Sequence, residues 1–382
     1  MECRKHMAPE YLLGGGAIET LGDYLTQFLA KRVLLVTDPG VIQAGWVDRV
    51  LPQLQRAGVE YWLFSHLTPN PKDAEVMAGV ELYHQHECDL IVVVGGGSPM
   101  DCAKGIGALV SNGGTLLQFA GLDRVPKPGP PLICIPTTAG TGAEVSRFAI
   151  ITDTLSNVKF AIVSPTMVPT LALIDPVTTT TMSSELTAAT GMDALVHAIE
   201  AYVSTASSPI SDLYALEAIR LISGSLRQAL AQPLELQYRE SMMLGSLLAG
   251  LAFSTASLGL VHAMAHSLGG LLDLPHGECN ALLLEYVVAF NFAAIPARYQ
   301  QVGIAMGLPM KGISEPEQKI RLIAALAGLR RDVNLAHPLR NLGVKAEDIP
   351  LLARNALMDP CYITNPVQPD VEEIAHLYEQ AL

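Results

Sequence analysis

Positively charged residues are scarce in this chain. Only 24 of its 382 residues are Lys or Arg, against 37 Asp and Glu, and the net charge is -13. Nucleic-acid backbones are bound by clustered Lys and Arg, and no such cluster occurs. Charged residues of either sign make up only 16% of the chain, whereas 50% of it is hydrophobic. We therefore expect a compact enzyme with a small-molecule ligand and no nucleic-acid partner.

Cysteines are also few, and none is placed for a metal-binding pair. The six lie at positions 3, 88, 102, 134, 279 and 361, without any CxxC spacing. Dispersed thiols in a long chain are typical of a reducing compartment, and residues 1–6 contain no apolar run of the kind that directs export. We expect no disulfide bonds and a cytoplasmic location.

One stretch lacks charge altogether. No Asp, Glu, Lys or Arg occurs between Ser241 and Leu272, which is long enough to span a bilayer. Several glycines and serines, together with His262 and His266, interrupt its apolar character. This composition is more typical of helices buried inside a protein, so we expect no membrane association.

The order of apolar runs predicts two domains. In the first half, β-type runs at residues 32–37, 59–64, 89–94 and 132–136 alternate with amphipathic stretches, which favours a parallel sheet. After Pro176, Ala/Leu-rich helical patterns continue to Leu382. We predict an α/β domain with a Rossmann-like parallel sheet over residues 1–180 and an all-helical domain over residues 181–382.

The second half carries histidines and a carboxylate at helical spacing. Asp193 and His197 are four residues apart, as are His262 and His266, and His276 follows between Pro and Gly. Side chains four apart leave one face of a helix, close enough to bind one cation. A lone His is usually a hydrogen-bonded core or surface group, but several unpartnered rings in apolar segments would be costly to bury. We predict a metal site.

A glycine-rich turn follows the third apolar run and opens a helix. It consists of Gly95, Gly96, Gly97 and Ser98. Glycines allow a close backbone approach, and the free N–H groups and helix dipole from Ser98 to Asp101 favour an anion such as a phosphate. The spacing is not GxGxxG, so a merely tight turn is the alternative. The loop after the next run, with Thr137, Thr138 and Thr141, offers hydroxyls at the same sheet edge.

Asp38 follows the first apolar run. An acidic residue at this position could accept hydrogen bonds from an adenosine ribose, and its charge would repel the 2′-phosphate of NADP. The alternative is a helix N-cap. We expect NAD as the cofactor.

These motifs resemble the iron-dependent (group III) alcohol dehydrogenase family over essentially the whole chain. The resemblance rests on residues 95–104, 136–142, 187–200, 259–269 and 275–281. It implies the fold of that family and of dehydroquinate synthase-like enzymes, with an α/β nucleotide-binding domain and a helical metal-binding domain. It also implies a homodimer, with higher homo-oligomers open.

The resemblance implies a role for particular residues. The metal would be held by Asp193, His197, His262 and His276, while His266 would relay a proton as the catalytic residue. The dinucleotide would be bound by Asp38, Gly95, Gly96, Gly97, Ser98, Thr138, Thr141 and Lys159, and Cys361 would line the substrate pocket. From the sequence we add Asp101 and Thr137 to the dinucleotide site, and Phe148, Phe253 and Ser254 to the substrate pocket.

We therefore predict reversible hydride transfer between a short primary alcohol or diol and NAD, with aldehyde reduction as the reverse. The metal would act as a Lewis acid on the alcohol, and histidine, which titrates near neutral pH, suits the proton transfer. Three imidazoles and one carboxylate suit several divalent metals, and the family favours Fe(II) with Zn(II) as the alternative. The open alternatives are a polyol or glycerol dehydrogenase, a dehydroquinate synthase-like enzyme, and a regulatory NAD-binding protein without turnover.

Overall fold

The computed structural model of the protein describes residues 6–156 and 158–382. Cys3 and most of the segment inspected for an export signal lie outside the described residues. The chain forms two compact units. The α/β unit comprises the described residues up to Thr138 and Ala143–Thr181, and the helical unit comprises Ala139–Gly142 and Met182–Leu382.

The strands of the described residues and four of the eight 3-10 turns lie in the α/β unit. The strands are β1 (Glu10–Leu13), β2 (Arg32–Val36), β3 (Glu60–Phe64), β4 (Leu90–Gly95), β5 (Gly121–Leu122), β6 (Leu132–Pro136), β7 (Phe148–Asp153), β8 (Val158–Val163) and β9 (Leu171–Ile174). Its helices are α1 (Leu21–Gln27), α2 (Pro39–Gln43), α3 (Trp46–Arg56), α4 (Asp73–Gln85) and α5 (Gly97–Asn112). Its 3-10 turns are Ala17–Thr20, Leu116–Phe119, Pro165–Met167 and Pro176–Thr179.

The helical unit contains no strand among its described residues. Its helices are α6 (Ser184–Val203), α7 (Pro209–Ala231), α8 (Leu236–Ala256), α9 (Leu260–Leu272), α10 (His276–Asn291), α11 (Pro296–Ala305), α12 (Glu315–Asp332), α13 (Ile349–Met358) and α14 (Val371–Ala381). Its 3-10 turns are Phe292–Ala294, Leu339–Leu342, Ala346–Asp348 and Pro360–Thr364.

Six strands form a parallel sheet in the order β1-β9-β6-β4-β2-β3. Alternate residues of β4 enter the two cores on either side of it: Ile91 and Val93 pack on one face, Leu90 and Val92 on the other. A strand that is apolar at every position is buried on both faces, as in parallel sheets covered by helices. The predicted parallel α/β architecture is confirmed, and the four predicted strands fall on β2, β3, β4 and β6.

The sequence patterns missed a second sheet. It has the order β5-β8-β7, with β7 and β8 antiparallel and β5 parallel to β8. β5 has only two residues, and β8 mixes exposed and buried positions, so neither shows the continuous apolar run that marks the larger sheet. β1 was missed for a similar reason, because all four of its residues are exposed.

The uncharged stretch from Ser241 to Leu272 lies on α8 and α9, and many of its side chains are buried. Among the described helices, no single one is long and apolar enough to cross a membrane. α8 and α9 together meet those criteria, but the chain bends by 99° between them. The five described cysteines, Cys88, Cys102, Cys134, Cys279 and Cys361, are buried and form no disulfide with one another.

Candidate active site

α6 supplies the first two members of the predicted metal site. Ser183 caps the helix by accepting a hydrogen bond from Leu186 N, and the helix then runs unbroken to Val203. Asp193 and His197 are 2% and 4% exposed, one turn apart. His197 Nδ1 lies 3.9 Å from Asp193 Oδ2. A helix turn thus places both side chains on one buried face, as their spacing predicts.

α9 and α10 bring two further imidazoles to Asp193. His262 Nε2 lies 3.7 Å and His276 Nε2 3.6 Å from Asp193 Oδ1. The approach of α10 is very close: a Cβ on Gly277 would lie 2.4 Å from Ala189 O. One nitrogen or oxygen atom from each of Asp193, His197, His262 and His276 lies within 4.8 Å of the other three. The structure therefore brings together all four residues that the family resemblance implied as ligands.

The outer hydrogen bonds orient two of these rings. His197 Nδ1 lies 3.2 Å from Gly140 O, and because a carbonyl only accepts, Nδ1 carries the hydrogen. His262 Nδ1 lies 2.6 Å from Glu200 Oε2. In both rings Nε2 is then the nitrogen available to a cation, which in His262 would displace a proton. An imidazole whose other nitrogen is bound to a carbonyl or carboxylate is the usual outer arrangement of a metal site.

Glu200 and Asn280 complete these surroundings, and neither was assigned a role from the sequence. Glu200 is 3% exposed and also accepts hydrogen bonds from Gly259 N (3.0 Å) and Val261 N (2.6 Å). Asn280 Nδ2 donates to Asp193 Oδ1 over 2.6 Å, and lies 3.1 Å from His262 Nε2. Asn280 is four residues after His276, so the helical spacing that selected the ligands would also have selected it.

Burial and charge shift the pKa values of this cluster in different directions. Burial lowers the pKa of His197 to about 4, although Asp193 opposes the shift. For His262, burial also lowers the pKa, but hydrogen bonds to Asp193 and Glu200 outweigh it and raise the pKa to about 9. Burial raises the pKa of Asp193, and the nearby imidazoles more than reverse this, so it lies below its ordinary value. The cluster is therefore built around an ionised carboxylate that favours a positive charge.

The donor set fits a divalent metal ion. Three imidazoles and one carboxylate, each held by further hydrogen bonds or helix packing, are chemically suited to Fe(II), Zn(II), Co(II) or Mn(II). The four donors come from three helices of one unit, so the site does not depend on a flexible loop. A second group of donor side chains lies nearby, formed by His266, Asp359 and Cys361.

His266 lies on α9 one turn after His262 but outside the four-residue cluster. Its ring stacks on that of His276, with centroids 5.2 Å apart and planes at 14°. His266 Nδ1 is 2.8 Å from Asp359 Oδ2. Asp359 is 93 residues away in sequence, and no local pattern indicates this contact.

The predicted substrate-pocket residues are divided between the units. Phe253 stacks on His197, with centroids 4.6 Å apart, and Ser254 beside it is buried. Cys361 is also buried, and its backbone N–H donates to Asp359 Oδ1 over 2.8 Å. Phe148 is the first residue of β7 in the α/β unit. Within the helical unit, therefore, Phe253 lies against His197 and Cys361 lies beside His266.

The glycine-rich turn joins β4 to α5. Gly96 is the N-cap of α5, which has no side-chain cap and no acidic residue in its first turn. Such a helix start offers unbound N–H groups and a positive dipole end to an anion. Glycine at position 95 also has a packing reason, because a Cβ there would lie 2.7 Å from Pro99 Cγ. The geometry is therefore suited to a phosphate, while glycine is required at position 95 even without one.

Several of the predicted cofactor residues lie at the carboxyl ends of neighbouring strands. Asp38, Gly95 and Thr137 follow or end β2, β4 and β6, which are adjacent in the sheet. This edge is where open parallel sheets bind ligands. Thr137 is buried, and its N–H donates to Gly95 O over 3.0 Å. A Cβ on Gly96 would lie 3.1 Å from the Thr138 side chain, so the two predicted loops contact each other.

Three of the predicted cofactor residues have structural partners. Asp38 Oδ1 accepts a hydrogen bond from Val41 N over 2.9 Å and caps α2, which was the alternative interpretation of this residue. Asp101 Oδ2 accepts from Ile150 N over 3.0 Å, and burial raises its pKa to about 6. Lys159 Nζ donates to Asn70 Oδ1 over 2.6 Å from the smaller sheet. Thr141, which the division of the chain assigns to the helical unit, is half-buried.

Comparison with known proteins gives one consistent result. The family model for iron-containing alcohol dehydrogenases matches residues 8–176, and the model for the C-terminal part of that family matches residues 187–382. The chain is 45% identical over 370 residues to 1,3-propanediol dehydrogenase of Klebsiella pneumoniae, covering 96% of both chains. It is 38% identical to the NAD-dependent methanol dehydrogenase of Bacillus methanolicus, covering 98% of each.

A solved structure of a similarly named enzyme closely matches the fold of this chain. The crystal structure of a 1,3-propanediol oxidoreductase superimposes with a TM-score of 0.97 at 43% identity, covering 100% of both chains.

Proposed function

The chain belongs to the iron-containing alcohol dehydrogenase family, and we propose that it interconverts short primary alcohols or diols and their aldehydes using NAD. The observation that carries this proposal is the convergence of Asp193, His197, His262 and His276, with donor atoms within 4.8 Å of one another. A regulatory protein that had lost turnover would be expected to have lost part of this set. All four members are present.

We propose that these four residues hold one Fe(II) ion, for which Zn(II) is the alternative because the same donors suit it. When bound, the metal would supply Lewis acidity to the alcohol oxygen, and NAD would accept the hydride. The protein's contribution is to fix the donors: Asn280 holds Asp193, Glu200 holds His262, and Gly140 holds His197.

The proposed role of His266 is to move the substrate's proton. Its Nδ1 is occupied by Asp359, so Nε2 is the nitrogen that can exchange a proton. His266 is 7% exposed, and burial of this kind excludes most bulk water from the ring. In the oxidation direction it would take the hydroxyl proton, and in the reduction direction it would return it.

We propose that the turn Gly95–Ser98 holds the pyrophosphate and that Asp38 accepts from the adenosine ribose. The uncapped start of α5 supports the first role. For Asp38, only Oδ1 is used in capping α2, and Oδ2 has no hydrogen-bond partner among the described residues. One oxygen can therefore serve the turn while the other serves a ribose. We assign Asp101, Thr137, Thr138, Thr141 and Lys159 to the rest of the dinucleotide site.

The substrate class follows from the relatives. Those reported above are named for 1,3-propanediol and methanol, which are both small primary alcohols. We propose that Phe253, Ser254 and Cys361 surround the carbon chain of such a substrate, while Phe148 of the α/β unit stays a prediction from the sequence. One methylene in a pocket of this kind changes the binding free energy by only about 1–3 kcal/mol, so we expect activity on several short alcohols.

We also propose a homodimer. β1 is the outer strand of the six-stranded sheet, and all four of its residues are exposed. An outer strand presents unpaired backbone groups that can pair with a second copy. Light scattering during size exclusion would distinguish a dimer from a monomer or a larger assembly. A cytoplasmic location, which the dispersed cysteine pattern favours, can be tested by cell fractionation.

The proposed reaction is tested by loading the protein with Fe(II) under anaerobic conditions and following NADH formation at 340 nm. A panel of methanol, ethanol, 1-propanol, 1,3-propanediol, 1,2-propanediol and glycerol separates simple alcohols from diols and polyols. Metal-free protein and a zinc-loaded sample are the controls. Turnover on short primary alcohols supports the proposal. Bound NAD with no turnover on any member would contradict it.

A further inference from the structure

His266 and Asp359 form a largely buried pair of side chains, and Asp359 has no role in the site predicted from the sequence. His266 Nδ1 and Asp359 Oδ2 are 2.8 Å apart, and the two side chains are 7% and 12% exposed. Hydrogen bonds between an imidazole and a carboxylate are short and strong when water is excluded. The pair is therefore a fixed part of the site and not a transient surface contact.

The second oxygen of Asp359 is also committed. Oδ1 accepts from Cys361 N over 2.8 Å and caps the 3-10 turn Pro360–Thr364. Burial raises the pKa of Asp359, but His266 and these hydrogen bonds lower it by more than that, so the pKa lies below its ordinary value. Asp359 is thus an ionised acceptor that cannot rotate away from His266 without breaking the cap.

The backbone segments that carry the pair are themselves bound together. Thr364 Oγ1 donates to Leu258 O over 2.6 Å, and Leu260 N donates to Asn365 Oδ1 over 3.2 Å, just before and at the start of α9. At the other side of His266, Ser267 Oγ donates to Leu352 O of α13 over 2.9 Å. The first two bonds fix the start of α9 relative to the turn that Asp359 caps. The third fixes α9 to α13, which ends at Met358, just before Asp359.

A comparison with His262 on the same helix shows what distinguishes His266. Both rings place Nδ1 against a carboxylate, Glu200 for His262 and Asp359 for His266. His262 then directs Nε2 toward Asp193 Oδ1 at 3.7 Å. His266 is not a member of that donor group. Its Nε2 therefore remains for chemistry other than holding the same cation.

We propose that Asp359 is a positioning residue that keeps hydrogen on Nδ1 of His266 and leaves Nε2 free to take the substrate's proton. This inference rests on the proposed function and extends it. In the oxidation direction, NAD held by the residues proposed above would accept the hydride of the substrate's C–H bond. The O–H proton passes to Nε2 of His266 and then to solvent, giving aldehyde, NADH and one proton.

The sharpest variant is Asp359→Asn. Asn keeps an oxygen that can accept from Cys361 N, so the cap of the 3-10 turn survives. Its NH2 group now faces His266 and can only donate, which forces hydrogen onto Nε2 and removes the free base. An exchange of tautomers of this kind is costly in other imidazole-carboxylate pairs. We expect kcat to fall about 100-fold, the size of a general base contribution, with KM, NAD affinity and metal content little changed.

A double-mutant cycle separates this role from a structural one. When Asp359→Asn is introduced into His266→Ala, kcat should stay within about twofold of the His266→Ala value, because the residue through which Asp359 acts is gone. Equal losses in both backgrounds would overturn the proposal. Asp370→Asn is the matched control, since Asp370 also caps a helix, α14, and lies outside the proposed site. It should leave kcat unchanged.

A second measurement does not depend on turnover. In zinc-loaded protein labelled with ¹⁵N-histidine, the ring nitrogens of His266 should show a protonated Nδ1 and an unprotonated Nε2. Asp359→Asn should reverse the two signals. An unchanged tautomer overturns the proposal even if the variant is slow, and absence of turnover in wild-type protein contradicts the proposed function instead. Loss of a second metal ion per chain in Asp359→Asn would also overturn it, by showing that His266, Asp359 and Cys361 bind a cation of their own.

Discussion

Buried polar side chains are arranged differently in the helical unit and in the α/β unit. In the helical unit, His262 and His276 face Asp193 Oδ1 at 3.7 and 3.6 Å, so several donors compete for one small volume. In the α/β unit, Lys104 Nζ donates to Ser146 O and Phe148 O, each over 2.8 Å. The first arrangement has capacity for a further cation. The second is satisfied by its own backbone.

Glu144 of the α/β unit is a second example of this difference between the two units. It is 2% exposed, and its Oε1 has no hydrogen-bond partner among the described residues. Burial raises its pKa to about 7. The buried carboxyl group of Asp193 in the helical unit is surrounded by imidazoles and stays ionised. Burial of Glu144 without such partners favours its protonated form. Convergence of donors, more than burial of charge, is therefore what marks a binding site in this chain.

The largest effect is expected when one of the converging donors is removed. His262→Ala takes away the ring that joins Asp193 to Glu200, and we expect metal content to fall to near zero. Turnover should fall about 10³-fold or more, because a Lewis acid contributes several kcal/mol to catalysis. Metal analysis and NADH formation measure both effects. His376→Ala, at an exposed histidine on α14, is the control. If His262→Ala retains its metal, His262 is not a ligand.

The next largest effect tests the outer hydrogen bonds. Glu200→Gln should lower metal affinity about 10–100-fold, because an amide cannot accept from His262 Nδ1, Gly259 N and Val261 N as a carboxylate does. Competition with a chelator measures the affinity. Glu285→Gln is the matched control, since Glu285 is a half-buried carboxylate paired with Arg330 at 2.8 Å. Equal losses in both variants would mean that Glu200 only stabilises the unit.

A smaller effect is expected at the sheet edge. Asp38→Asn keeps the cap of α2 but removes the charge that would face a 2′-phosphate. We expect the ratio of kcat/KM for NADP to that for NAD to rise roughly tenfold, in line with the interaction of one charge with a phosphate near the surface. An unchanged melting temperature would verify that the cap is intact. If the cofactor ratio does not move, Asp38 serves α2 alone.

The variant with the smallest expected effect on turnover tests stability and its dependence on pH. The pKa of Glu144 in the folded protein, about 7, lies above the ordinary 4.5, so the folded state keeps a proton that the unfolded chain has released. Stability therefore falls as pH rises from about 4.5 to about 7. Glu144→Gln removes this loss and should stabilise the protein by about 2–3 kcal/mol more at pH 8 than at pH 5. Urea unfolding of metal-free protein at both pH values measures the difference.

The control for this experiment is Glu60→Gln, because Glu60 is an exposed side chain on the outer strand β3 of the same unit. It removes one acidic side chain without touching a buried group. A difference between the two pH values that is as large in this variant as in Glu144→Gln would contradict the interpretation.

Local patterns predicted those parts of the molecule that depend on neighbours in sequence. The apolar run at Leu90–Gly95 is sufficient to indicate a central strand, and the four-residue spacing of Asp193 and His197 is sufficient to indicate a shared helix face. The contacts of Gly140 with His197 and of Asp359 with His266 join residues 57 and 93 positions apart. No spacing rule encodes such contacts, because they arise only when separate elements pack. The same holds for the assignment of Ala139–Gly142 to the helical unit.

The bend between α8 and α9 bears on how the protein is made. Ser257, with φ of +62°, ends α8, and the uncharged chain continues at an angle of 99°. Until the surrounding helices have assembled, the nascent chain exposes this apolar stretch to chaperones, to other unfolded copies and to insertion machinery. Recovery of soluble protein at high expression, and refolding from denaturant, should therefore depend on this stretch more than on any other part of the helical unit.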